Sequence, residues 1–301
     1  MLKKLELLMN NLEVTKGKGM LWLTITLLIS TAGLFIGEAE QIKTLASADL
    51  NTIQTDFSDN TEVLTKEIIQ QSNLSNTIPE SLAIIAKSIT VKVLAGEGSG
   101  SGILIQRQGD IYTVLTNDHV LSLGNKYQIQ TPDGKIYAAS RYSVELENND
   151  LGLIRFQSSN KSYSIASLDS GKDLMVGDQL FAAGFPIDIK VFANQQGDYM
   201  ISHPEGFVLT YGRVSLVNDK ILAGGYQLGY TNDIQKGMSG GPVLNYQGQV
   251  VAINGMHAYP LWGDPYVYKD GSKPCTFMRD FMIHYSWGIP METFIKIAPK
   301  L

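Results

Sequence analysis

The chain has 301 residues, 44% of them hydrophobic and 18% charged, with 24 basic against 29 acidic side chains. This composition is not that of a disordered chain, and a net charge of −5 argues against a surface built to neutralise nucleic-acid phosphates. One cysteine, Cys275, leaves no internal disulfide framework and no thiolate zinc cluster.

The first element is an uncharged run of 17 residues, Met20 to Ile36, preceded by Lys16 and Lys18 and followed by Glu38 and Glu40. A spanning helix needs ~20 apolar residues and the core of a secretory signal ~7–15, so the run falls between the two. Small residues at Gly37 and Ala39 suit signal-peptidase cleavage, so residues 1–39 read either as a cleaved signal peptide or as a retained transmembrane anchor. Both readings share an orientation. Positive charge before the run keeps the N-terminus inside, which delivers the remainder to an extracytoplasmic compartment: periplasmic, lumenal or secreted. Residues 40–80 are rich in Asn, Ser, Thr, Asp and Gln and read as a polar linker, with a short helix expected over Val63 to Ile69.

From Ser81 the texture changes. Short apolar runs recur at Ile89–Leu94, Gly102–Ile105, Ile111–Leu115, Leu151–Phe156, Leu180–Ala183, Phe207–Val214, Pro242–Leu244 and Val250–Ile253. Turn signals stand between them, among them Gln108-Gly109-Asp110, Pro132-Asp133-Gly134 and Tyr246-Gln247-Gly248. Many short strands at this spacing predict an all-β domain over residues 81–301, built of two antiparallel barrels. Only Met291–Ile297 looks like a helix, closing the chain.

The strongest chemical signal is Gly237-Met238-Ser239-Gly240-Gly241-Pro242. Small residues around a serine let the backbone turn sharply and let neighbouring N–H groups converge on one spot, although a plain glycine-rich loop has the same composition. Upstream, Thr116-Asn117-Asp118-His119-Val120 places a histidine at the end of an apolar run, and Asn149-Asp150-Leu151-Gly152-Leu153-Ile154 places a carboxylate at the entry to another. Each alone is an ordinary strand-end residue. Together they supply base, orienting acid and nucleophile in the chain order His119, Asp150, Ser239.

These blocks resemble the three active-site blocks of the chymotrypsin/trypsin-like serine proteases, in particular the bacterial disulfide-free branch around the HtrA catalytic domain. Gly98-Ser99-Gly100-Ser101-Gly102-Ile103-Leu104 resembles that branch's early glycine–serine strand. The resemblance spans about residues 85–298. It implies two six-stranded chymotrypsin-like barrels and a serine endopeptidase acting through an acyl-enzyme. In that mechanism His119 takes the proton of Ser239, Asp150 fixes the imidazole, and the N–H groups of Gly237 and Ser239 hold the oxyanion. It implies no metal and no organic cofactor. The partner is a protein or peptide substrate, with no nucleic acid, and with membrane contact only through the N-terminal run if that is kept.

There are departures. Met238 stands where trypsin-like enzymes usually carry Asp and HtrA-like ones Asn. Only 62 residues follow Ser239, too few for the peptide-binding PDZ domain that HtrA proteins append. Asp233, six residues before Ser239, matches the place of a carboxylate that receives Lys or Arg, and His257 follows a strand expected to wall the specificity pocket. Asp233 equally suits a solvated loop, and His257 a plain packed or surface histidine.

Other signals are weaker. Gly96, Gly98, Gly100 and Gly102 lack the Lys-Ser/Thr pair and the helix of a phosphate cradle, His203 and His284 lack metalloprotease spacing, and Ser158–Lys161 lacks the companion motifs of penicillin-binding enzymes. An α/β-hydrolase also uses GxSxG, but it needs a helix after the serine, where Pro242 stands. An exported protease-like domain that binds peptides without cleaving them is the alternative from another functional class.

Overall fold

Short apolar runs that bury alternate residues close into cylinders when every edge finds a partner, and that is the arrangement seen in a computed structural model. It describes residues 78–187, 200–202, 206–260 and 264–298. The apolar run of residues 20–36, the expected signal or anchor over 1–39, the expected helix at 63–69 and most of the linker lie outside the described residues.

The first barrel contains β1 (Thr90–Ala95), β2 (Gly98–Gln108), β3 (Ile111–Thr116), β4 (Tyr127–Gln130), β5 (Ile136–Tyr142) and β6 (Gly152–Gln157). They close in the order β1-β2-β3-β6-β5-β4, every pair antiparallel. Val91, Val93, Leu104, Tyr112, Val114, Ile129, Ile154 and Phe156 fill it, with the rings of Tyr112 and Phe156 stacked at 5.2 Å. Of the expected turns, Gly109 links β2 to β3 and Gly134 links β4 to β5, both with the positive φ (59° and 80°) that glycine adopts without cost.

The second barrel contains β7 (Gln179–Gly184), β8 (Met200–Ser202), β9 (Val208–Val217), β10 (Leu228–Tyr230), β11 (Pro242–Leu244), β12 (Val250–Met256) and β13 (Ser286–Pro290). Six of these run β10-β13-β12-β11-β7-β9 and close through a β9–β10 pairing, while β8 pairs along β9. Its interior holds Leu180, Ala182, Val208, Val214, Tyr230, Val243 and Val251. A third apolar cluster joins the barrels: Ile103, Leu115 and Leu153 from the first meet Ala183, Leu209, Ile253 and Trp287 from the second. The functional loops gather where these barrels adjoin.

The expected closing helix is present at Met291–Ile297, but among the described residues three more helices accompany it. Glu80–Ile89 forms α1, Asp118–Leu121 the single turn α2, Thr276–Met282 α3, and the closing helix is α4. In α1 the buried residues are Leu82, Ala83, Ala86 and Ile89, one helical face rather than alternate positions. The apolar run read as starting at Ile89 therefore begins as a strand at Thr90, whose Oγ1 donates to the Ala86 carbonyl at 2.6 Å and closes the helix end.

Candidate active site

The end of β3 and the entry to β6 are tied together by the side chains of the THR–ASN–ASP–HIS block. Thr116 Oγ1 donates to the Ser101 carbonyl at 2.6 Å, which fixes where β3 stops beside β2. Asn117, fully buried, donates its Nδ2 to the Asp150 carbonyl at 2.7 Å. Helix α2 then begins at once and carries His119 over the Asp150 carboxylate. The His119 backbone N–H donates to Asp150 Oδ1 at 2.9 Å, and His119 Nδ1 lies 2.6 Å from Asp150 Oδ2. A third group, the Tyr226 hydroxyl, donates to the same Oδ2. From behind, the Asp150 N–H donates to the Gly224 carbonyl at 2.8 Å.

The electrostatics follow from these partners. Burial opposes ionisation of Asp150, whose side chain is 17% exposed, but the His119 imidazole, the Tyr226 hydroxyl and the His119 N–H together outweigh it. They hold the carboxyl below its ordinary value of 3.8, so it is an anion at neutral pH. His119 is 47% exposed, so the imidazole faces solvent on the side away from Asp150. With Nδ1 engaged by the carboxylate, Nε2 is the ring nitrogen left to accept a proton.

Ser239 sits on the loop between β10 and β11, which the second barrel anchors. Buried Asn232 donates Nδ2 to the carbonyls of Leu180 (3.0 Å) and Thr210 (2.9 Å), and Met238 N–H closes a turn on Gln235 O at 3.0 Å. The Met238 side chain is fully buried and belongs to the second barrel's core, so a residue met in the sequence as a departure is a packing residue here. Gly237 takes φ +100°, and the N–H groups of Gly237 and Ser239 donate to no protein group among the described residues. Ser239 Oγ donates to the Gly255 carbonyl at 3.2 Å.

Strand β2 stitches this loop to the first barrel. Ser101 N–H donates to the Ser239 carbonyl, and Ser101 Oγ donates to the Gly237 carbonyl while accepting from Phe185 N–H, all at 2.8 Å. Gly100 permits the approach: a Cβ there would lie 2.6 Å from a Val120 methyl and 3.2 Å from the Ser239 carbonyl oxygen. The early glycine–serine strand is thus the backing of the serine loop. Because Ser101 is fully buried, Ser101→Ala orphans the Phe185 N–H and frees the Gly237 peptide. It is expected to cost about 1–3 kcal/mol of stability, read as a lower urea midpoint at unchanged slope.

The structure brings His119 and Asp150 together directly; Ser239 and Gly237 share one loop, which Ser101 ties to β2, and among the described residues no hydrogen bond joins Ser239 to His119. Asp233 is exposed, accepts from Gln235 Nε2 at 3.3 Å, and among the described residues makes no ion pair or hydrogen bond with His119, Asp150, Gly237 or Ser239. His257 is half-buried two residues beyond Gly255, with Nδ1 2.7 Å from the Ala258 carbonyl. Sequence reasoning missed Asn117, Tyr226 and the Gly255 carbonyl, and saw Ser101 only as part of a motif. Asn117 was adjacent to the histidine signal; Tyr226 carried none.

The trypsin-like peptidase domain family matches residues 100–253, just over half of the chain and a span that contains His119, Asp150 and Ser239. The chain belongs to the trypsin-like peptidase family. Within it, the periplasmic pH-dependent serine endoprotease DegQ of Escherichia coli (strain K12) is 34% identical over 158 residues, 52% of this chain and 31% of that protein. The putative serine protease HhoA of a Synechocystis strain is 29% identical over 160 residues, 52% of this chain and 36% of that one. This trypsin-like chain therefore spans about a third of the length of the curated relatives it matches. The crystal structure of Deg5 aligns with TM-score 0.51 at 20% identity, over 72% of this chain and 90% of that one. The HtrA-type protease AlgW, solved with a tripeptide, aligns with TM-score 0.52 at 17% identity, over 71% and 60%. These two show that the trypsin-like double barrel is shared.

Proposed function

We propose that this chain is a serine endopeptidase in which Ser239 attacks a peptide carbonyl, His119 takes the serine proton and Asp150 orients the imidazole. The observation that carries the reading is the two-point grip of Asp150 on His119, backbone N–H on one oxygen and Nδ1 on the other, which leaves Nε2 as base. A serine hydroxyl is a poor nucleophile at neutral pH without such a base. As attack proceeds, Ser239 Oγ exchanges its hydrogen bond to Gly255 for one to Nε2, and the proton moves to the imidazole. The carbonyl oxygen becomes an oxyanion, to which the N–H groups of Gly237 and Ser239 are free to donate; each such donor is worth about 3–4 kcal/mol in the transition state. The imidazolium returns its proton to the leaving amine, and water, deprotonated by His119, then hydrolyses the acyl-enzyme.

Substrates on this reading are proteins or peptides, and Asp233 and His257 remain the candidates for contacting the side chain beside the scissile bond. The charge pattern around residues 20–36 and the periplasmic relative support an extracytoplasmic location, with the run as cleaved signal or as anchor. The test is a fluorophosphonate probe on the purified chain, with the adduct mapped by mass spectrometry. Labelling of Ser239 that disappears in His119→Ala is the expected result. A well-folded, unlabelled protein would overturn this reading and favour a peptide-binding domain without cleavage.

A further inference from the structure

Tyr226 belongs to none of the motif blocks, yet it touches both halves of the site. Its hydroxyl donates to Asp150 Oδ2, the oxygen that also holds His119 Nδ1. Its ring fills the space beside Gly255: a Cβ on Gly255 would collide with the ring edge and with the phenolic oxygen. The Gly255 carbonyl is the group that holds Ser239 Oγ. One side chain therefore abuts the acid that orients the base and the backbone that faces the nucleophile.

The chain holds Tyr226 firmly in that place. A tight turn closes behind it, with Gly225 N–H donating to Leu222 O at 3.0 Å and Leu222 N–H donating to Tyr226 O at 2.9 Å. The next residue is fastened to β13, Gln227 N–H donating to Gly288 O at 3.2 Å, and the Gly224 carbonyl receives the Asp150 N–H. The residue is 5% exposed. Burial, then the neighbouring Asp150 charge, keep the phenol's pKa well above 10, so it is a neutral hydroxyl with a proton to donate.

We propose that Tyr226 is a positioning residue of this site: its hydroxyl locks the Asp150 carboxylate toward His119 while its ring fixes the Gly255 backbone beside Ser239. The proposal rests on the peptidase reading for its kinetic consequence, but not for its structural one. Asp150 is faced by His119 from α2 and by Tyr226 from the 222–226 turn, and Tyr230 on β10 adds an electrostatic push that raises the Tyr226 phenol further. Removing the hydroxyl leaves Oδ2 with the imidazole as its one side-chain donor. The carboxylate then turns more freely, and more of its negative charge falls on the imidazolium, which moves the acid limb of activity toward higher pH.

Tyr226→Phe in the full chain isolates the hydroxyl, because the ring that packs on Gly255 stays. The expected result is an unchanged KM, a thermal midpoint lowered only slightly, a kcat lowered about 10–100-fold, as for loss of one hydrogen bond to a charged group, and an acid limb displaced upward. The downfield NMR resonance of the His119 Nδ1 proton should also shift. Tyr226→Leu, which loses ring and hydroxyl, should lower kcat further. A Phe variant with wild-type kcat, pH profile and His119 resonance overturns the proposal. If the wild-type protein itself shows no turnover, the peptidase reading fails while the resonance still decides: shifted in Tyr226→Phe supports the positioning role, and unchanged overturns it.

Discussion

Ser239→Ala is expected to lower kcat by about 10⁴–10⁶-fold while leaving KM for a peptide substrate nearly unchanged. The reason is the narrow job of the atom removed. Ser239 Oγ makes one hydrogen bond, to the Gly255 carbonyl at 3.2 Å, so its loss disturbs no network on which the fold depends. The backbone keeps its course: Ser101 still holds the carbonyls of Ser239 and Gly237, and the turn at Met238 is untouched. Substrate binding and the two N–H donors therefore survive, and only the covalent step is lost. Peptide cleavage and fluorescence-anisotropy binding on the same preparation separate these quantities. Turnover at the wild-type rate in Ser239→Ala would remove the proposed nucleophile.

Local chemistry was legible in the sequence, and long-range partnership was not. A serine among glycines, a histidine at a strand end and an aspartate at a strand entry announce themselves within six residues, because glycine content and apolar runs are local properties. The eight apolar runs fall on β1, β2, β3, β6, β7, β9, β11 and β12, whose residues are largely buried. The strands that were missed lack that signal. In β5 half of the residues face outward, with Ile136 56% exposed, and β10 is three residues with Gly229 at its centre. Helix α1 hid because its last apolar residue, Ile89, abuts the first buried residues of β1. Ser101 supports Gly237 across 136 positions and Tyr226 reaches Asp150 across 76, and no periodicity encodes such a pairing. In the sequence Met238 is only a departure from the family's usual Asp or Asn, whereas its side chain is part of the second barrel's core.

Asp150→Asn is the sharpest probe of the orienting group and is expected to lower kcat by about 10⁴-fold at neutral pH. Three donors converge on the Asp150 carboxylate: the His119 N–H, the His119 ring nitrogen and the Tyr226 hydroxyl. A carboxylate accepts all three, but an amide has one accepting oxygen. If that oxygen serves the His119 N–H, the amide NH₂ faces Nδ1 and donates to it. The ring proton is then driven to Nε2, the nitrogen that must accept the serine proton, and the Tyr226 hydroxyl loses its acceptor. The same substitution tests the linkage to stability. The native carboxyl lies below its ordinary value of 3.8, so its contribution is fully present above about pH 4 and is lost as pH falls through the native pKa. The wild type should therefore exceed Asp150→Asn in thermal midpoint near neutrality, and the gap should narrow on acidification. A gap that stays constant from neutral to acid pH would mean that the anion is not held by these donors.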